Sequence, residues 1–207
     1  NGAGKTTLLK IISTLILPDK GRVTVNNCIL GTDDEKIRSF IGFAASPERS
    51  FYLRLTGKQN LEFFAALYGL GGKEALSRIN ELFDLFKINY QDKRFDSYST
   101  GMQQKFGIMR ALLQNPELLL LDEPAKSLDY SAAGELHEFL RGTLVKKQAK
   151  TVIFTTHRMD EAADLADIFL VLHKGKVLGF GGLEQLRRKA NKPQAALSQI
   201  YTALTSQ

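Results

Sequence analysis

A chain of 207 residues, 43% hydrophobic and 24% charged, has enough apolar material to bury a core as one domain with at most a subdomain, which excludes a disordered or low-complexity chain. One cysteine, Cys28, excludes an intrachain disulfide and a cysteine metal cluster, and it reads as a small buried residue in a reducing compartment. The net charge of +6 is scattered, so a solvated surface accounts for it and no nucleic-acid partner is expected; without a basic-then-apolar leader or an apolar run of about 18 residues, a soluble chain is expected.

The chain opens on Asn1-Gly2-Ala3-Gly4-Lys5-Thr6-Thr7 and runs directly into apolar residues. Glycines without Cβ let successive backbone N–H groups turn inward as an anion-binding nest, and a helix starting near Lys5 adds the positive end of its dipole. In the pattern G-x-x-x-x-G-K-[ST] the lysine, here Lys5, reaches the β- and γ-phosphates and the hydroxyl, here Thr6, ligates Mg²⁺; the first glycine of that pattern would lie two positions before Asn1. A Gly-rich turn capping an ordinary helix is the plainer alternative at this point. The helix is expected to continue from Lys10 to Ile16 and to stop at Pro18-Asp19-Lys20-Gly21. Arg22 to Val25 alternates as a strand, Asn26-Asn27 reads as a hairpin turn, and Cys28-Ile29-Leu30 returns. Ile41 to Ala45 is a short buried strand, broken by Ser46-Pro47-Glu48-Arg49.

From Thr56 the period becomes helical. Leu61, Phe64, Ala65 and Tyr68 share a face, glycines from Gly69 to Gly72 end that helix, and Lys73 to Phe86 forms another with Leu76, Ile79, Leu82, Phe83 and Phe86 on one side. Between Ser50 and Thr56 the loop carries Phe51, Tyr52, Leu53 and Leu55, more apolar surface than a solvated connection needs; it folds back as core or it receives a partner.

Tyr98-Ser99-Thr100-Gly101-Met102-Gln103-Gln104-Lys105 precedes a helix that stops at Asn115-Pro116 and offers a second anion site, or an ordinary Ser cap. Leu118 to Leu121 is a strand buried on both faces, and Asp122-Glu123 stands at its carboxyl end, where ligands bind in open α/β sheets. Asp122 would hold Mg²⁺ and Glu123 would polarise an attacking water; a solvated turn or helix cap is the alternative. Thr151 to Thr156 repeats the arrangement and ends in His157, which is either structural or placed to hydrogen-bond a transferred phosphoryl group. Ile168 to Leu172 turns at Lys174-Gly175 into Lys176-Val177-Leu178 as a β-hairpin, a helix follows from Leu183, and the segment from Lys189 is loosely composed.

In this order the motifs resemble those of the ATP-binding cassette (ABC) ATPases. Asn1 to Thr7 looks like Walker A, Tyr98 to Lys105 like the signature, Leu118 to Pro124 like Walker B, Ser127-Leu128-Asp129 like the D-loop and His157 like the switch histidine. The signature and residues 56–70 are most similar to the ATPases that serve ABC-2-type exporters. The resemblance implies an α/β P-loop fold, a mostly parallel sheet with flanking helices, with a helical signature subdomain over about residues 56–115 and a C-terminal hairpin and helix over about 168–207. It implies ATP and Mg²⁺ as cofactors, Glu123, His157 and Lys5 as catalytic residues, and Asn1, Gly2, Ala3, Gly4, Lys5, Thr6 and Thr7 around the phosphates. Thr6 and Asp122 would hold the metal, with Ser46 or Glu48 as further candidates. Ser99 and Gly101 would cover the ATP of a second subunit in a head-to-tail homodimer or pseudo-dimer, and a separate integral membrane permease would hold the pair on the inner, cytoplasmic face of the cell membrane for transport, in the direction of export.

Several positions depart from the family pattern. Ser46 stands where most members carry a glutamine, Tyr98 replaces a leucine, Thr100 a glycine, Met102 a glutamine, and Ala125 a common threonine. The adenine-stacking aromatic and the strand before the P-loop belong upstream of Asn1, so the 207 residues alone are expected to fold poorly. A soluble ABC ATPase acting on ribosomes or DNA, and a weakly hydrolysing nucleotide switch, are the alternative functions.

Overall fold

The computed structural model describes residues 2–45 and 51–206, and the chain divides into two compact units, Asn1–Leu9 with Thr155–Gln207, and Lys10–Phe154. Helix α1 (Lys5–Ile12) is shorter than its apolar pattern predicts. Thr14 takes a left-handed φ of 63°, its N–H bonds to the Ile11 carbonyl at 3.0 Å and the Leu15 N–H to the Lys10 carbonyl at 2.9 Å, the paired bonds of a Schellman C-cap that ends the helix four residues early. Strands β1 (Thr24–Val25) and β2 (Cys28–Ile29) pair antiparallel across Asn26 and Asn27, both at positive φ as a two-residue type I′ turn requires. Cys28 is half-buried there rather than buried, because a two-strand ribbon covers it on one side only.

An unanticipated helix, α2 (Asp34–Phe40), follows. The Ile29 and Gly31 N–H groups donate to the carboxylates of Asp33 and Asp34 at 2.8 and 2.7 Å, which fixes the chain as it enters the helix and places Ile37 in the core. Strands β3 (Ile41–Ala44), β4 (Leu118–Asp122) and β5 (Thr151–Thr155) then form a sheet in the order β3-β4-β5. β3 and β4 run parallel from Ile41↔Leu118 to Ala44↔Leu121, so their carboxyl ends are level and Asp122 stands at that edge.

Helix α5 (Thr100–Leu112) packs on this sheet, α3 (Gly57–Leu67) packs on α5, and α4 (Gly72–Leu85) packs on α3. Thr56 and Gln59 close a reciprocal capping box at the start of α3. On α4 the buried stripe is Ala75, Ile79, Leu82 and Phe83; Leu76, expected on that side, is exposed, since it lies one position round the helix from Ala75. α5 lies so close to β3 that a Cβ on Gly42 would stand 2.2 Å from the Ala111 carbonyl oxygen, a separation only glycine permits. Its carboxyl end collects cations: the Arg78 guanidinium donates to the Leu112 carbonyl at 2.7 Å, and Lys150 Nζ donates to Asn115 Oδ1 at 2.7 Å and the Pro116 carbonyl at 2.6 Å. Helix α6 (Tyr130–Glu138) runs into a π-helical segment (Phe139–Lys147), neither of them anticipated, and buries Leu136, Leu140 and Leu144 at four-residue spacing.

In the smaller unit, β6 (Phe169–His173) and β7 (Lys176–Gly181) form the expected antiparallel hairpin through Lys174 and Gly175, both at positive φ. Helices α7 (Met159–Leu165), α8 (Leu183–Lys189) and α9 (Leu197–Thr205) complete it around a core of Phe169, Val171, Leu186, Leu197, Ile200 and Leu204. α9 corrects the reading of a loose segment beyond Lys189: Leu197, Ile200 and Leu204 recur at helical spacing and bury one face.

Candidate functional site

The glycine loop and the start of its helix, to Leu9, lie in the smaller unit. Gly2 and Gly4 have φ values of +77° and +97°, the left-handed region that strains any side chain, and they turn the loop into the first turn of α1, where the Leu8 N–H donates to the Gly4 carbonyl at 2.9 Å. No acidic residue stands in the first turn of α1, so the dipole end faces no carboxylate of its own helix. Thr6 and Thr7 are exposed and Lys5 is half-buried. The loop is braced from the hairpin turn: the Gly175 N–H donates to the Ala3 carbonyl at 3.1 Å, and a Cβ on Gly4 would meet Gly175 Cα at 3.8 Å. Sequence motifs paired neither Lys174 nor Gly175 with this loop, because the contact spans the length of the chain. Asn1, assigned to the phosphates, lies outside the described residues.

His157 belongs to the same unit and is exposed. Its neighbour Thr156 donates to the buried Glu161 carboxylate and accepts from the Arg158 N–H at 3.0 Å, which ties the end of β5 to the start of α7 and fixes the backbone on either side of the histidine. Asp160 accepts a hydrogen bond from Arg158, and that bond holds its carboxyl below the usual carboxylate range.

The larger unit carries the other predicted residues. Asp122 ends β4, half-buried, and Glu123 follows at a φ of +51°, a conformation that costs a non-glycine residue strain and that concentrates at functional positions. The Lys126 N–H closes a turn onto the Glu123 carbonyl at 3.2 Å, and Asp129 caps α6 by accepting from the Ala132 N–H at 2.9 Å. Ser46 and Glu48 lie outside the described residues. Among the described residues no group of three His, Cys, Asp or Glu side chains is arranged to hold a metal. The Thr6 hydroxyl and Asp122 carboxylate are hard oxygen donors of the kind Mg²⁺ accepts beside phosphate and water, a mode of binding that requires no such cluster.

Ser99 caps α5: its Oγ accepts from the Met102 N–H at 3.3 Å, which leaves the hydroxyl proton able to point outward. Gly101 sits in the first turn, where a Cβ would stand 3.3 Å from Leu128 Cδ2. Tyr98, the departure from leucine, is buried among Tyr90, Phe95 and Phe106 with ring centroids 4.8–5.2 Å apart, and its hydroxyl donates to the Tyr90 carbonyl at 2.8 Å. Burial pushes both Tyr98 and Tyr90 up to about 12.

The loop before α3 divides its apolar residues between the two readings. Phe51 stacks on Phe95 at 4.5 Å and, with Phe64, faces the Arg110 guanidinium at 5.3 and 5.0 Å; burial lowers the Arg110 pKa. Tyr52 is 52% exposed and Leu53 54%, with Phe63 edge-on to the Tyr52 ring at 4.8 Å as its one ring contact among the described residues. Asn60, fully buried, holds this backbone: its side chain accepts from the Tyr52 N–H at 2.8 Å and donates to the Tyr52 and Thr56 carbonyls at 3.0 Å each. Sequence reasoning missed Asn60 and Arg110; the one signal for Asn60 was an amide beside Leu61 on an otherwise apolar helical face.

The family model described as ABC transporter matches residues 1–126. The chain is 37% identical over 187 residues to the ABC transporter ATP-binding protein NatA of Bacillus subtilis (strain 168), covering 90% of this chain and 75% of NatA. It is 35% identical over 188 residues to the daunorubicin resistance ATP-binding protein DrrA3 of Streptomyces coeruleorubidus, covering 90% of this chain and 58% of that protein. Among solved structures, a dimeric post-hydrolysis state of the ATP-binding cassette MJ0796 bound to ADP and Pi superposes with a TM-score of 0.76 at 27% identity, covering 87% of this chain and 81% of that one.

Proposed function

The chain belongs to the ABC transporter family, as an ATP-binding subunit that hydrolyses ATP to drive transport, and on that premise we propose a residue-level account of its work. It acts in a head-to-tail pair, each ATP held by Gly2, Gly4, Lys5 and Thr6 of one subunit and covered by Ser99 and Gly101 of the other. Lys5 neutralises the β- and γ-phosphates, Thr6 and Asp122 hold Mg²⁺, Glu123 orients and deprotonates the attacking water, and His157 hydrogen-bonds the transferred phosphoryl group. The observation that carries this reading is the left-handed conformation of Gly2 and Gly4 at the open start of α1, which aims backbone N–H groups at an anion. The dimeric ADP-bound relative supports the pairing, and the resistance protein among the relatives supports export as the direction.

The pair drives a separate membrane permease, docked through Tyr52 and Leu53 on the loop before α3. No helix among the described residues is long and apolar enough to cross a membrane. The helical subdomain of the proposal is residues 56–115, and the C-terminal hairpin and helices are residues 168–207. Tyr52→Ala tests the coupling. With its ring half in solvent, its removal lowers stability by about 1 kcal/mol or less, whereas truncating a core aromatic costs about 3–5 kcal/mol. Calorimetry and permease co-purification on the same variant should show an intact melt and impaired association; a large loss of stability, or undiminished association, removes Tyr52 from the docking surface.

A further inference from the structure

A cavity of ≈ 330 Å³ lies in the larger unit, between the end of α4, the middle of α5 and α6. Phe86 and Phe139 form one wall with ring centroids 4.5 Å apart, and Ile108, Leu128 and Leu136 line the rest. Gln104 also lines it, and Gln104 is only 6% exposed. Its side-chain amide makes no hydrogen bond with any described residue, in contrast to the fully buried amide of Asn60, which makes three. The Gln104 amide is not among the sealed, unpartnered polar groups, so it opens to the cavity, where a ligand group that hydrogen-bonds it would replace water.

The charges at the rim cancel. Lys105 pairs with Glu135 at 3.4 Å, and the remaining two charged lining residues, Lys87 and Glu138, are of opposite sign. An apolar volume with two uncharged polar side chains, Gln104 and Thr143, and no net charge matches the usual composition of a small-molecule site. At the roughly 30 Å³ that a water-sized group occupies in a liquid, the cavity takes about ten non-hydrogen atoms.

We propose that this cavity binds a neutral small molecule with an aromatic or alicyclic body and one primary amide or hydroxyl, which Gln104 engages by hydrogen bonds. The occupant packs against Leu128, whose Cδ2 is 3.3 Å from the position a Cβ would take on Gly101, so filling the site alters ATP turnover. That last consequence rests on the function proposed above; the binding itself does not.

Methyl NMR titration of the full-length protein tests it, with benzamide as probe and toluene as the same body without the amide. Benzamide should bind saturably in the millimolar range or tighter, within the reach of a ligand of this size, and should shift the methyl signals of Ile108, Leu128 and Leu136. Gln104→Leu, and in parallel Gln104→Met, should weaken benzamide about tenfold and leave toluene unchanged. Ala132→Phe, which fills the cavity, should abolish both. No saturable shift of those methyls, benzamide affinity indifferent to Gln104, or binding that survives Ala132→Phe overturns the proposal. So does an apparent affinity that falls as protein concentration rises, since a second copy would then occupy the cavity. The wild-type methyl map decides the matter even where a variant does not fold.

Discussion

Two helix starts are assigned to nucleotide in this chain, and they are built in opposite ways. The start of α1 is shaped by backbone: Gly2 and Gly4 in left-handed conformations, a carbonyl of the loop tied to the Gly175 N–H, and side chains that stay in solvent. The start of α5 is shaped by side chains: Ser99 caps it, and behind Ser99 stands a buried aromatic cluster of Phe95, Tyr98 and Phe106, with Phe51 stacked on Phe95. The two ends therefore fail differently. Damage to the first changes the anion nest while the fold survives, and damage to the second first costs packing, then function.

The largest effect should come from the aromatic cluster. Phe95 is 1% exposed and touches three rings, Phe51, Tyr98 and Phe106, so Phe95→Ala should lower unfolding free energy by about 3–5 kcal/mol, the scale of a buried aromatic truncation. Chemical denaturation of the full-length protein measures it; a loss under about 1 kcal/mol, the scale of a surface substitution, would make the two helix starts alike.

Gly4→Ala should act on the other side of the comparison. A Cβ there has room, with its nearest neighbour at 3.8 Å, but the φ of +97° costs an L-residue about 1–2 kcal/mol. The melting temperature should fall by a few degrees while ATP affinity drops about tenfold or more, because relief of the strain rotates the N–H groups away from the phosphates. Unchanged ATP affinity would show that the nest does not depend on this conformation.

The smallest effect is at Tyr98. Tyr98→Phe keeps the ring and loses the 2.8 Å bond to the Tyr90 carbonyl, a change worth about 1 kcal/mol. It should also reduce alkaline sensitivity. Both Tyr98 and Tyr90 are raised from 10.0 to about 12, so the unfolded chain gives up these protons first and their contribution to stability, complete below pH 10, is lost as pH climbs toward 12. Denaturation midpoints from pH 9 to 12 should fall less steeply in the variant; parallel slopes would place the alkaline loss elsewhere.

The same contrast explains what the sequence made legible. The glycine loop, the Leu118–Leu121 strand and the two hairpins are local patterns of glycine spacing, apolar runs and turn residues, and they stand where the pattern puts them. The early end of α1 at Thr14 escaped, since nothing but the Schellman bonds distinguishes Leu15 and Ile16 from helix. α2 rests on aspartates bonding back to the β2 turn, and α9 on a face buried against β7 and α8, so their stability lies in contacts the local pattern does not contain. In the site, motif order pointed to Asp122, Glu123 and Ser99. The partners that position the signature end and the loop before α3, Tyr90 under Tyr98 and Asn60 under Tyr52, are each eight residues away and were invisible as motifs.

Glu123, held at a φ of +51° after the buried β4 strand, is the general base we propose for ATP hydrolysis. Steady-state ATPase measurement on full-length Glu123→Gln, with ATP binding determined in parallel, tests it most directly. ATP binding should be retained and turnover reduced by at least about two orders of magnitude, the usual cost of removing a general base. Turnover at the native rate would contradict it.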